Sequence, residues 1–192
     1  MFEKIIDAFK KNSNNKKDEI YLAIQNNRYQ DIFDIVSSGF DVKKKYDNDD
    51  TLLHIAALYG NDQMVELFLQ KQINPNAKNS LGCTPLHNAV WKGNVESCVK
   101  LIKAGSNIDE EDYDGNTPLH YAAIRNNNVI ISTLICYKAN IDALNKERRT
   151  PLHEAIILGN DEALEHLLKL GANDKIEDIY SFTVNDYIKH KQ

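Results

Sequence analysis

The chain has 192 residues, 42% of them apolar and 27% charged, with net charge −5 and mean hydropathy −0.49. This fits one folded domain rather than disorder, and no apolar run approaches the ~18 residues of a membrane span. The acidic balance argues against non-specific nucleic-acid binding, which needs clustered Lys and Arg.

From the N-terminus, Phe2, Ile5, Ile6 and Phe9 fall at helical spacing. Glu3 and Asp7 break the apolar core that a signal peptide needs. This short helix is expected to pack on the unit that follows it rather than on a membrane. Residues 10–17 (KKNSNNKK) read as a basic linker. The segment Asp18-Glu19-Ile20-Tyr21-Leu22-Ala23-Ile24 then opens an apolar pattern, and Ser38-Gly39-Phe40-Asp41-Val42 falls where a helix end and a turn belong. Next a phrase recurs at a fixed step of 33 residues: Thr51-Leu52-Leu53-His54, Thr84-Pro85-Leu86-His87, Thr117-Pro118-Leu119-His120 and Thr150-Pro151-Leu152-His153. Ala56, Ala89, Ala122 and Ala155 follow at two positions past each His. A fixed step without insertions describes stacked units that bury their apolar faces against one another.

Residues 117–149 show how one unit is expected to fold. Thr117 can cap a helix, and Pro118 sits where a missing N–H costs nothing. The first helix is predicted over 118–125 with Leu119, Ala122 and Ala123 on one face, the alanines allowing neighbouring helices close approach. Asn126-Asn127-Asn128 makes a turn, and a second helix is predicted over 129–137. A finger then extends from Asn140-Ile141-Asp142 to the next phrase. Lys138 and Gln72 stand at the step where other copies carry Gly105 and Gly171, which predicts local strain or a shifted helix end. Asn126 stands at a similar position, so Asn126→Gly is expected to stabilise the chain if the backbone there is left-handed.

The phrase resembles the T-P-L-H-x-A signature of the ankyrin repeat, and the resemblance covers about residues 18–192. It implies an all-α solenoid of helix–turn–helix units with β-hairpin fingers. The expected divisions are a short helix and linker (1–17), a capping repeat (18–50), repeats 51–83, 84–116, 117–149 and 150–182, and a C-terminal capping helix (183–192). His54, His87, His120 and His153 are expected to be structural. Stacked one per repeat, roughly 8–10 Å apart, they cannot converge on one metal ion. Cys83, Cys98 and Cys136 are odd in number, form no CxxC motif and meet no His–Asp partner arrangement, which fits reduced packing thiols.

The resemblance also implies a concave groove lined by the ends of the first helices and by the fingers. The helix-end residues are Leu58-Tyr59, Trp91-Lys92, Ile124-Arg125 and Ile157-Leu158, an apolar ladder on the order of 30 Å long. Trp91, Tyr59 and Arg125 are the favoured anchors. On the fingers, Asp47, Asp50, Tyr113, Asp114, Lys146 and Arg149 are candidate contacts, with charge running from acidic to basic along the groove edge. The expected function is non-catalytic binding of a partner protein, with no cofactor, metal or small-molecule substrate. An inhibitor or immunity protein against an enzyme or toxin is the narrower reading, and a host-directed bacterial effector a third. The chain is expected to be cytoplasmic and monomeric when alone.

Overall fold

The computed structural model describes residues 16–190. The apolar N-terminal residues Phe2, Ile5, Ile6 and Phe9 lie outside the described residues, as do the linker positions before Lys16. Helices follow in pairs: α1 (Lys16–Gln25) and α2 (Tyr29–Ser37), α3 (Leu52–Tyr59) and α4 (Asp62–Gln70), α5 (Pro85–Lys92) and α6 (Val95–Lys103), α7 (Pro118–Ile124) and α8 (Asn128–Cys136), α9 (Pro151–Leu158) and α10 (Asp161–Lys169), then α11 (Val184–His190). Odd-numbered helices form an inner row and even-numbered ones from α4 to α10 an outer row, each helix packing on its neighbours in the stack. No strand occurs among the described residues. The fold is an all-α solenoid.

The repeated phrase fixes each inner helix from both ends. Thr51 and Thr150 accept a hydrogen bond from the N–H of His54 and His153, and Pro85, Pro118 and Pro151 open their helices. Left-handed Gly60, Gly93 and Gly159 close them. Asn61, Asn94 and Asn127 then cap α4, α6 and α8 through their side chains. The alanine at each step (Ala56, Ala89, Ala122, Ala155) is fully buried, as are Leu53, Leu86, Leu119 and Leu152. Ile20, Ala23 and Ile24 continue the same rows into the first unit and are also fully buried, so that unit keeps the stacking face without the phrase.

The end of the stack shows a substitution with a clear reason. Where the phrase places His in four units, the last helix carries Asp186, whose Oδ2 accepts from the Thr183 hydroxyl at 2.6 Å and from the Thr183 N–H. The carboxylate keeps the cap of this helix without an imidazole.

Gln72 and Lys138 do adopt the left-handed backbone expected of them, at φ 59° and 74°. So does Asn126, at φ 52°, but its side chain changes the expected effect of glycine. Asn126 Oδ1 accepts from the Ala163 N–H of α10 at 2.8 Å. The local Asn160 makes no cap bond to α10, because its amide reaches back to the Ala123 and Ile124 carbonyls at 2.9 Å each. One repeat thus caps the next. Lys138→Gly is expected to stabilise by ~0.5–1 kcal/mol, since exposed Lys138 gives up only its strain. Asn126→Gly is instead expected to be neutral or destabilising, because losing a cap costs ~1 kcal/mol. Urea midpoints of the two variants beside the unaltered chain test the contrast.

Candidate functional site

Two periodic polar systems hold the repeats together. The first is the histidine row. In each phrase the imidazole Nδ1 accepts the Thr backbone N–H at 3.1–3.2 Å. Nε2 therefore carries the proton and donates to a carbonyl of the next finger: His54 to Cys83, His87 to Asn116, His120 to Arg149 and His153 to Phe182. Burial pushes all four below the usual histidine range, His87 and His120 to about 4. Both ring nitrogens are engaged in holding one repeat to the next.

The second system was missed at the sequence level. Asn79, Asp112, Asn145 and Asp178 recur at the same step of 33 residues, and all are buried. Each Oδ1 accepts two backbone N–H groups of its own finger: Leu81 and Cys83, Asp114 and Asn116, Glu147 and Arg149, Tyr180 and Phe182. Single backbone bonds then stitch finger to finger, such as Tyr113 N–H to Leu81 O and Lys146 N–H to Asp114 O, both 3.0 Å. In three of the four the residue nine positions on is matched to the chemistry of the frame. Asp112 and Asp178 accept from the Tyr121 and Tyr187 hydroxyls, whereas Asn145 donates its amide to Glu154. Burial and the Asp112 carboxylate both push the Tyr121 phenol up, holding it as a donor.

On this frame the structure places the predicted ladder at the inner-helix ends. Leu58, Trp91 and Leu158 are exposed, Tyr59 and Ile157 are half-buried against the core, and Ile124 is half-buried. Trp91 is 43% exposed yet oriented, T-shaped to the Tyr121 ring with centroids 5.9 Å apart and with the Arg125 guanidinium 4.7 Å from its own centroid. Tyr59 sits edge-on to Tyr21 at 6.3 Å, with their hydroxyls 3.3 Å apart. Lys92 and Arg125 are exposed and make no ion pair among the described residues.

The finger candidates separate. Tyr113 is 57% exposed and lies flat on Gly82, where a Cβ would meet its ring at 2.7 Å. Asp114 and Lys146 are exposed beside it. Asp50 is engaged, accepting from the Asn79 amide at 2.9 Å. The Asp47 side chain lies outside what is described. Arg149 turns inward, pairing with Glu147 and facing Asp178 at 3.9 Å. The expected acid-to-base run along the edge is therefore weaker than the sequence implied. Of the third finger's acids, Asp112 is taken up in the frame, Asp109 accepts from the Asn140 N–H and Glu110 pairs with Lys78. Sequence reasoning also passed over Leu81, Ile179 and Tyr180, exposed apolar side chains on the second and fifth fingers. Leu81 and Tyr180 share one repeat position and Ile179 shares that of Tyr113, but Asp114, Glu147 and Lys146 fill the steps between, so the apolar character does not repeat.

Cys83 and Cys98 are buried, and burial raises both thiols, Cys98 to about 12. A thiol so shifted stays protonated and is a weak nucleophile.

A family model for ankyrin repeats, three copies long, matches residues 20–112 and 94–178. The chain belongs to the ankyrin repeat family. Ankyrin repeats serve generally as protein–protein interaction modules, and the family is typically non-catalytic. A comparison with curated proteins finds no match. No helix among the described residues of this ankyrin repeat protein is long and apolar enough to cross a membrane.

Proposed function

We propose that this ankyrin repeat protein is a non-catalytic module that grips a partner protein in its concave groove. Leu58, Tyr59, Trp91, Lys92, Ile124, Arg125, Ile157 and Leu158 form the floor, and Tyr113, Asp114 and Lys146 contact the partner from the finger tips. The repeats 51–83, 84–116, 117–149 and 150–182 carry these residues, with 18–50 and 183–192 as caps. The observation that carries the reading is Trp91, a large aromatic left 43% exposed and held in one orientation by Tyr121 and Arg125. Stacking of the repeats does not need it, since the buried rows of Leu and Ala already join the inner helices. Oriented aromatics in apolar surroundings are what binding hot spots are made of.

The test is affinity capture from lysate of the native organism, with mass spectrometry. The baits are the unaltered chain and a Tyr59→Ala/Trp91→Ala double variant whose circular dichroism is unchanged. A protein held by the first and lost by the second is the expected result. Identical retention by both baits would move binding off the groove floor.

A further inference from the structure

The floor of the groove differs in sign from the rest of the chain. The protein carries 28 Asp and Glu against 23 Lys and Arg. Yet the inner-helix ends Leu58-Tyr59, Trp91-Lys92, Ile124-Arg125 and Ile157-Leu158 hold two cations and no carboxylate. Several cations elsewhere are answered within the molecule: Lys78 by Glu110, Lys100 by Asp62 and Glu66, Arg149 by Glu147. Lys92 and Arg125 are answered by none among the described residues.

Arg125 is also aimed. Its guanidinium lies over the Trp91 ring at 4.7 Å, and a stacked guanidinium keeps its N–H donors at the edge of its plane, where a planar acceptor can meet two of them. The carboxylate that holds the hydroxyl of Tyr121, the ring against Trp91, is already used: Asp112 accepts two backbone N–H groups and the Tyr121 hydroxyl. Lys92 occupies the same repeat position one step earlier, so the two cations stand roughly 8–10 Å apart along the groove. Apolar surface from Trp91, Ile124 and Leu158 flanks them. One cation stacked and one free, without a carboxylate between them, is a site for an anion presented beside an apolar group.

We propose that the Lys92–Arg125 step selects the partner, and that the partner segment seated there is acidic: an Asp or Glu adjacent to a large apolar side chain. The carboxylate meets the edge of Arg125 with Lys92 alongside, and the apolar side chain packs on Trp91. This rests on the groove reading and adds the chemistry of the occupant. The pair gives charge selection, since a basic segment would meet two unpaired cations at close range.

The probes are three fluorescent peptides of twelve residues with the same Leu and Trp anchors, interspersed with Glu, Ser or Lys. Anisotropy is measured with the full chain, Lys92→Gln/Arg125→Gln and Trp91→Ala, all checked by thermal melting. The expected result is at least tenfold tighter binding of the Glu peptide than of the Ser peptide. That preference should vanish in the double Gln variant and fade as salt rises from about 0.1 M to about 1 M, where screening shortens from ~10 Å to ~3 Å. Equal binding of all three peptides, or preference for Lys, overturns the acidic partner; if Trp91→Ala still weakens them, the groove reading survives. Binding that ignores Trp91→Ala, or no binding by any peptide, overturns both. A concentration-dependent dimer lost in the double Gln variant would seat a second copy in the groove, its third finger supplying Glu111, Tyr113 and Asp114, and would also overturn the proposal.

Discussion

Ala122→Glu is expected to destabilise the chain by ~3–5 kcal/mol, the range seen when a buried charge is left without a partner. Ala122 is fully buried on α7, between α5 and α9. The larger side chain also overpacks a contact that depends on a methyl group. Against a total stability of ~5–15 kcal/mol, this approaches unfolding. A solenoid has only neighbour contacts, so a fault in the middle should separate the two ends. Hydrogen exchange should lose protection first across residues 117–149, and urea unfolding should lose its single transition. Val129→Glu in the same repeat is the control: Val129 is 62% exposed, and its substitution should shift stability by less than ~0.5 kcal/mol. If Ala122→Glu unfolds like the unaltered chain, the assignment of the stacking face is wrong.

The stacking face was legible because it is the periodic part. Thr, Pro, Leu, His and Ala serve one purpose at each step, so reading one unit reads them all. The second helix predicted over 129–137 runs one residue earlier, Asn128–Cys136, because the Asn127 side chain rather than the turn cluster as a whole sets its start. The finger frame was equally periodic but escaped notice, since Asn79, Asp112, Asn145 and Asp178 alternate in residue type. Their shared property is one carbonyl-type oxygen placed for two N–H groups. The pairing of Asp112 and Asp178 with Tyr and of Asn145 with Glu nine residues on could have exposed it, because donors and acceptors match in those three. Contacts between successive repeats were harder to read. Arg149 looked like a free basic tip until Asp178 of the next finger was seen beside it. Asn126 looked like a poor glycine until its bond to Ala163 appeared.

Acidification from pH 6.5 toward 4 is expected to destabilise the stack before most carboxylates titrate. His87 and His120 are held neutral and their folded values fall to about 4 by burial, against ~6.5 in an unfolded chain. Between these values the unfolded state binds more protons, so stability rises with pH through the window. The contribution is fully present above pH 6.5 and is lost as the pH falls toward 4. At ~1.4 kcal/mol per pH unit, each of the two loses about 2 kcal/mol by pH 5. His54 and His153 add in the same direction. Glu154 opposes them, because burial raises its carboxyl and protonation favours the fold; one such group does not offset four. The structural reason is that a second proton must enter at Nδ1, which accepts the Thr N–H at 3.1 Å in both His87 and His120. A charged ring would turn that acceptor into a donor facing the Thr N–H, leaving the Thr hydroxyl oxygen 2.9 Å away to accept it, which weakens the cap while stranding a buried charge. Urea unfolding at pH 7.5, 6.0 and 5.0 measures the slope. His120→Gln, which keeps an amide donor toward the Arg149 carbonyl but cannot titrate, should be less stable at pH 7.5 and lose less on acidification. An equal loss in variant and unaltered chain would mean that some other group carries the acid response.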